Sequence, residues 1–495
     1  MILKLGRVVP VFAVACVFAV AILGILTQSL RPLVLITLLP ATVVVMMKPD
    51  WLAVAAVMLS AAHLTIPSLA QRLTVNYILG ALFVGSAIAR GLVRRTDAPR
   101  EGYRVSAALF LMVVGITAAA RGLGLRALGG DLWGGMPYVQ IGVTGAMLLL
   151  AWRVRLSAAQ WSASAMGLCV LALLPMISNI LNRFEISSFL TAVVRTSFDD
   201  DVQAMSLVGA GQDAINRLHS ANVAGEYMFL LALMLCRGGP VSRLGSFLVL
   251  LAGGALVGVS GHRIVMIYGL VSVVVFGLLN HKATFLKRVA SPGVIGMIVA
   301  FGLLVGVMQW LPPAFQRALS WLPFAEVSSD VRVDAAGTLG WRLSLWERAF
   351  EEVHRYFWLG KGFAFSAKDM LSFVHWSMQD LDYVMLSRNY HNGLLALMIE
   401  LGVAGFLAGI AFIGLFVRAQ WRRSREPWAS PALHDLHRAF LACFVAQVGA
   451  YVVLAGGTTT FATLFLWAFV MVGLGRSDEA LTRIEEDPSP GGRRE

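Results

Sequence analysis

Apolar runs close to twenty residues long, separated by short polar connections, recur along this 495-residue chain and limit what it can fold into. A run of that length is what an α-helix needs to cross the hydrocarbon core of a bilayer at 1.5 Å per residue. The runs lie at about 8–27, 32–47, 51–66, 74–90, 105–120, 136–152, 158–181, 223–236, 244–261, 264–280, 293–311, 393–417, 438–455 and 459–474. Read literally they are about fourteen crossings, or about twelve if the short runs at 32–47 and 223–236 do not span. The expected fold is an all-α polytopic integral membrane protein. Composition agrees: 58% of residues are hydrophobic and only 14% charged, with a mean hydropathy of +0.74, which excludes a soluble chain of any class. The net charge of +12 does not call for a nucleic-acid partner, because lysine and arginine also collect in cytoplasmic connections of membrane proteins.

Where the charges fall sets the orientation. Lys4 and Arg7 precede the first run, which is long enough to span and is followed by no clear small-x-small cleavage site, so it is read as a first transmembrane helix entering from the cytoplasm. Alternation then puts Arg90, Arg94, Arg95, Arg100, Arg104, Arg153, Arg155, Arg237, Arg243, Lys282, Lys287, Arg288, Arg418, Arg422, Arg423 and Arg425 inside. The short outer connections keep only Arg31, Arg72, Arg121, Arg126 and Arg263, as the positive-inside rule requires. Both termini are expected in the cytoplasm, and the tail from 476 to 495, with its Asp-Pro-Ser-Pro-Gly-Gly, is expected to be a disordered extension. The chain divides into N-terminal helices (1–181), central helices with arginine motifs (182–311), a large outer loop (312–390), C-terminal helices (391–475) and that tail.

A loop of nearly eighty residues rarely lacks structure or function of its own. Within it Trp341, Leu345, Trp346, Ala349, Phe350, Val353 and Phe357 recur at helical spacing, interleaved with Arg342, Glu347, Arg348, Glu351, Glu352 and Arg355. This pattern predicts an amphipathic helix on the membrane surface, ended by Gly360-Lys361-Gly362. Cys16, Cys169, Cys236 and Cys443 all fall in or beside apolar runs, so no disulfide framework is implied. The sequence has no CxxC pair, P-loop, GxSxG elbow or HExxH, and no internal repeat.

Polar residues gather instead at the outer ends of apolar runs. Ser387-Arg388-Asn389-Tyr390-His391-Asn392 leads straight into the run that holds Glu400, Gly402 and Gly405. On a helix starting at Asn392, eleven residues bring Gly402 to within about 20° of His391, while Glu400 lies about 180° away and roughly 13 Å deeper. Glu400 is therefore not expected to orient His391, and Gly402 with Gly405 makes a small-x-x-small step for a close neighbouring helix. The spacing is equally that of a helix cap, Asn392, beside an interfacial histidine. Arg217, in Asn216-Arg217-Leu218-His219-Ser220-Ala221-Asn222, and Arg263, in Ser260-Gly261-His262-Arg263, also sit at outer ends. Apolar runs flank Arg263 on both sides, where an unpaired charge costs at least about 2–3 kcal/mol, so it calls for an anion, supplied by a ligand or by an acidic residue such as Glu226 or Glu400.

His391-Asn392, nine residues, then Gly402-Val403-Ala404-Gly405 resembles the signature of the bacterial O-antigen ligase and polymerase superfamily. Ser260-Gly261-His262-Arg263 is similar to that family's Ser-Gly-Ser-Arg turn, with His262 in place of a small residue. Asn216-Arg217-Leu218 with Asn222 resembles its earlier arginine element, and Arg342, Trp346, Gly360 and Gly362 its large-loop pattern. The resemblance spans roughly 210–420. It implies the architecture of GT-C type membrane glycosyltransferases, with about twelve helices and the active site on the periplasmic side of the bacterial inner membrane.

The resemblance also implies the reaction: transfer of a glycan from an undecaprenyl-diphosphate carrier to a hydroxyl of a glycan or lipid A core acceptor, inverting, without metal or cofactor. Arg217 and Arg263 would hold the diphosphate and His391 would be the general base, with Arg342, Asn392, Arg388, His262 and Asn222 binding substrate and Gly402, Gly405 and Glu400 shaping the helix. A polymerase of the same superfamily is the alternative within the class. A lipid-linked oligosaccharide flippase is the rival outside it, although transporters place their polar residues near the bilayer midplane. Oligosaccharyltransferase-type enzymes carry metal-binding carboxylates in a long first outer loop, and the connection from Gln28 to Arg31 holds no acid. Asp199-Asp200-Asp201 reads as a solvated turn.

Overall fold

The computed structural model describes residues 49–65, 74–93, 101–123, 134–186, 189–194, 218, 220–237, 239–280, 302, 306–320, 322, 326–364, 385, 388, 390–453 and 456–486. The expected runs at 8–27 and 32–47, most of 293–311, Arg217 and the Asp199–Asp201 cluster lie outside them. The other runs each fall on helix: α1 Pro49–Ser60, α2 Val75–Val93, α3 Gly102–Arg121, α4 Met136–Leu150, α5 Ala158–Leu171, α6 Leu174–Arg183, α8 Ala221–Leu235, α9 Pro240–Ser260, α10 Arg263–Leu279, α13 Gly393–Arg423, α14 Pro431–Val453 and α15 Thr460–Glu486. Three more helices lie in the long connections: α7 Phe189–Val193, α11 Pro313–Leu319 and α12 Ser329–Tyr356. Only two isolated bridges, Leu64 with Val194 and Thr65 with Thr74, interrupt this among the described residues.

The protein is an all-α polytopic membrane protein. Five helical stretches among the described residues are long and apolar enough to cross a bilayer. Burial separates the middle of the bundle from its lipid-facing rim. The Thr460–Thr482 span is 83% buried and central, whereas the Val241–Ser260 span is 17% buried and shows Val241, Leu244, Leu248 and Leu251 outward at helical spacing. Exposed apolar stripes of that kind are at home only in hydrocarbon. The core lies where α3, α13 and α15 meet. There Phe110 stacks on Phe461 at 4.5 Å between ring centroids, and Phe412 and Phe416 stack at 5.6 Å.

Local chemistry fixes the helix ends. Ser157 caps α5 through a capping box with Gln160, and Pro175 restarts the helix as α6 after the turn at Ala172–Leu173. Gly261 closes α9 in the left-handed conformation, with φ 68°.

Two expectations are corrected here. Residues 476–486 are not a disordered tail but the last turns of α15. Ser477 and Asp478 are buried: the Ser477 hydroxyl accepts from the Trp161 indole at 3.0 Å, and an Asp478 oxygen accepts from the Ser430 amide at 2.9 Å. These polar contacts inside the bundle end extend the helix beyond its apolar run. Nor does the apolar face of α12 simply rest on a membrane. Leu345 and Ala349 are buried, and with Trp341, Trp346 and Val353 they pack on Tyr390, Leu395, Ala396 and Ile399 at the head of α13. The large loop is thus built onto the helix that His391-Asn392 introduces.

Candidate active site

The site end of α13 begins with Asn392, whose extended backbone and side-chain oxygen, accepting from the Leu395 amide at 3.1 Å, make it the N-cap. At Gly402, the tenth residue of the helix, the regular hydrogen bonding fails. Gly402 has φ 69° and ψ −173°, a conformation open in practice to glycine alone. A break inside a span frees backbone groups that hydrocarbon cannot satisfy. A strap from the large loop, residues 357–363, satisfies them. The Lys361 amide donates to the Ile399 carbonyl at 2.7 Å, the Gly362 amide to Glu400 at 2.9 Å, and the Val403 amide to the Phe357 carbonyl at 2.7 Å.

The Gly402–Gly405 pair therefore does not serve the approach of a neighbouring helix, as its spacing suggested. A Cβ on Gly402 would stand 2.6 Å from the Trp358 carbonyl oxygen, and one on Gly405 would meet Leu401 of its own helix. Helical phase also loses meaning across the break. The strap is pinned from its other side: Arg121 Nε donates to the Gly360 carbonyl at 2.8 Å, the Phe363 amide donates to the Tyr138 hydroxyl at 2.9 Å, and Lys361 pairs with Glu352 at 2.9 Å.

Two residues just before the cap adopt left-handed backbone without being glycine, Arg388 at φ 61° and His391 at φ 50°. Each such residue costs roughly 1–3 kcal/mol and persists where its surroundings hold it. Arg388 is buried, with its guanidinium donating to the Gly362 carbonyl and, at 2.7 Å, to that of Ala364. It also lies over the Phe363 ring. These contacts fasten the His391 turn to the strap. The Trp346 indole donates to the Tyr390 carbonyl at 3.0 Å, and the Trp341 ring meets His391 edge-on at 5.5 Å.

His391 is thereby held in a largely desolvated place. Burial first, and then the charge of Arg342, push its imidazole down to about 4. It is neutral at physiological pH. Glu400, buried and beside Thr458, is not among the groups that act on it, in line with its expected distance. The guanidinium of Arg342 is itself held below its usual range by burial and by the charge of Arg317.

Arg317 carried no motif in the sequence. It sits on α11, and its Nη1 donates to the Gly261 carbonyl at 3.0 Å, inside the turn that presents His262 and Arg263. The Ser260 hydroxyl further fixes this turn by accepting from the His262 amide at 3.3 Å. Its only sequence signal is a lone arginine in a short apolar stretch, Pro313–Leu319. Asn222 lies in the first turn of α8, its side-chain oxygen accepting from the Val223 amide at 2.6 Å. Leu218, which follows Arg217, donates its amide to the Val259 carbonyl at 3.3 Å and so ties the earlier arginine element to the Ser260–Arg263 turn. The structure thus joins the turn, Arg317, Arg342 and His391 in one sequence of contacts and charges at one end of the bundle.

An all-α membrane bundle with a structured loop locked into one broken helix, and the charge of Arg342 acting on a neutral histidine, defines a class of polytopic protein with its site at the bundle end. Residues 247–410, about a third of the chain, match the family described as O-antigen ligase. The match takes in the Ser260–Arg263 turn, Arg317, Arg342, the strap and the His391–Gly405 stretch, and supports the O-antigen ligase and polymerase superfamily, whose members are ligase- or polymerase-type membrane enzymes. Comparison with the curated proteins found no match.

Proposed function

We propose that the protein is a membrane glycosyltransferase that moves a glycan from an undecaprenyl-diphosphate carrier to an acceptor hydroxyl at the outer face of the bacterial inner membrane. The observation that carries this reading is His391, a neutral imidazole at the mouth of a span, with guanidinium as the charge acting on it. A neutral imidazole accepts the proton of the attacking hydroxyl. As the acceptor oxygen bonds to C1 of the glycan, the C1–O bond to the carrier breaks, and its electron pair leaves on the diphosphate. Arg263, at the start of α10, and Arg217 hold that leaving group and meet its growing charge. Attack opposite the leaving group inverts the anomeric centre. The outer-face assignment draws on charge: Arg153, Arg237, Arg243, Arg422, Arg423 and Arg425 lie at the helix ends opposite the site.

The test is transfer by the purified chain from a polyprenyl-diphosphate-linked glycan to a glycan acceptor. His391→Ala is expected to keep donor binding and lose roughly 10²–10⁴ in transfer rate. Wild-type rates in that variant would return His391 to a structural role.

A further inference from the structure

We propose that Trp341 is the platform for the acceptor sugar: the pyranose that gives its hydroxyl proton to His391 lies against this indole, over the open stretch of α12 at Gly337. The inference rests on the glycan-transfer reading and names within it the residue that seats the acceptor.

Trp341 ends a packed seam. Along one line of α12, at i, i+4 and i+8, Trp341, Leu345 and Ala349 pack toward the head of α13. Leu345 and Ala349 are 0% exposed there, whereas Trp341 is only partly buried. One turn further back the same line reaches Gly337, which is exposed. A Cβ added at Gly337, or at Gly340, would meet nothing within 4 Å among the described residues. The seam is thus closed at Leu345 and Ala349 and open at Gly337, and the residue at its open end is a tryptophan.

That tryptophan borders the proposed base. The Trp341 and His391 rings meet edge-on with centroids 5.5 Å apart, and His391 is itself partly exposed. An edge-on contact takes up at most one face of the indole. The polar end of the ring is also available. Trp346, five residues on, spends its indole N–H on the Tyr390 carbonyl at 3.0 Å, while that of Trp341 donates to no acceptor among the described residues. Packing alone asks for no more than the leucine at 345.

A hydroxyl that passes its proton to His391 must come within about 2.6–3.2 Å of the imidazole nitrogen. The sugar ring carrying that hydroxyl then rests on what borders the imidazole, and on the α12 side that is Trp341. The C–H bonds on a pyranose face are weakly positive and the face of an indole is negative, so the two attract. The indole N–H adds one donor for a sugar oxygen. A rigid aromatic ring offers both at little cost in side-chain entropy.

The experiment uses the full chain in lipid nanodiscs, with a lipid A core glycolipid and a soluble oligosaccharide offered separately as acceptors. Acceptor affinity is read without donor, and KM for donor and acceptor is read during transfer. Trp341→Leu keeps apolar bulk in the seam but removes the aromatic face, and Gly337→Leu fills the open stretch without altering Trp341 or His391. Each is expected to weaken acceptor binding roughly fivefold to tenfold and to raise acceptor KM alike, with donor KM unmoved. Trp341→Phe, which keeps an aromatic face, should recover most of the loss. Wild-type acceptor affinity in either leucine variant overturns the proposal, as does a wild-type chain that binds neither acceptor. A fall in kcat with acceptor KM unmoved in Trp341→Leu overturns it as well, and makes the indole a mere wall for the imidazole; a rise in donor KM alone assigns the ring to the donor sugar and also overturns it. Should Trp341→Leu unfold, Gly337→Leu decides alone by the same readings. A wild-type chain that binds acceptor but transfers no glycan sinks the wider reading, while donor-free acceptor affinity still judges the platform.

Discussion

Gly360 and Gly402 face each other backbone to backbone, and neither position has room for a side chain. A Cβ on Gly402 would lie 2.8 Å from the Gly360 nitrogen, and one on Gly360 would lie 2.3 Å from the Glu400 carbonyl oxygen, while both glycines have φ near 70°. The strap and the broken helix are thus one unit, joined by main-chain contacts.

Gly402→Ala therefore meets two penalties at once, left-handed backbone and a clash with the Trp358 carbonyl. The expected loss of stability is roughly 2–4 kcal/mol, above the usual cost of a surface substitution. Thermal unfolding of the purified protein measures it. A melting point equal to wild type would show that the helix does not need its break.

Arg388→Lys keeps the charge but loses the fork that reaches the Gly362 and Ala364 carbonyls. The ligand-free protein is expected to lose about 1.5–3 kcal/mol, the range for a hydrogen bond from a charged group. Carrier affinity per folded molecule should stay as it was. A stable variant with weakened carrier binding would instead make Arg388 a substrate contact.

The pH profile of kcat/KM reports on His391. The unperturbed imidazole value predicts that activity falls below roughly pH 6, but burial and Arg342 lower it to about 4. A base is lost when it is protonated, so a depressed value moves the acid limb down: activity should persist at roughly pH 5 and fall as the pH drops through about 4. Arg342→Gln removes a repelling charge, raises the value and moves the limb up. A limb that stays put in that variant would uncouple the two residues.

Ser329 is exposed at the start of α12. In whole cells, a cysteine placed there in a background without Cys16, Cys169, Cys236 and Cys443 should react with a membrane-impermeant thiol reagent. Labelling confined to lysed cells would reverse the proposed orientation.

Most helices were legible in the sequence because membrane spans announce themselves by length and apolarity alone. The cap at Asn392 was legible too, since capping is a local matter. The break at Gly402 was not: two glycines three apart admit a close helix as readily as a close strap, and only the fold says which arrives. Arg388 is another case, because its acceptors lie more than twenty residues earlier in the chain. Arg317 left almost no trace, a single cation in a seven-residue helix whose partner is a carbonyl far upstream. The depressed imidazole of His391 depends likewise on an arginine from a different helix, which spacing cannot foretell.

The strap carries a consequence for assembly. Residues 357–363 precede α13 in the chain, so they leave the ribosome before the helix whose gaps they fill. A span interrupted at Gly402 carries, alone in lipid, amide and carbonyl groups with nothing to bond. The strap that bonds them has already been made when that span inserts. The large loop is then a template rather than a cap, and the helix that follows His391 acquires its shape by docking onto chain already made.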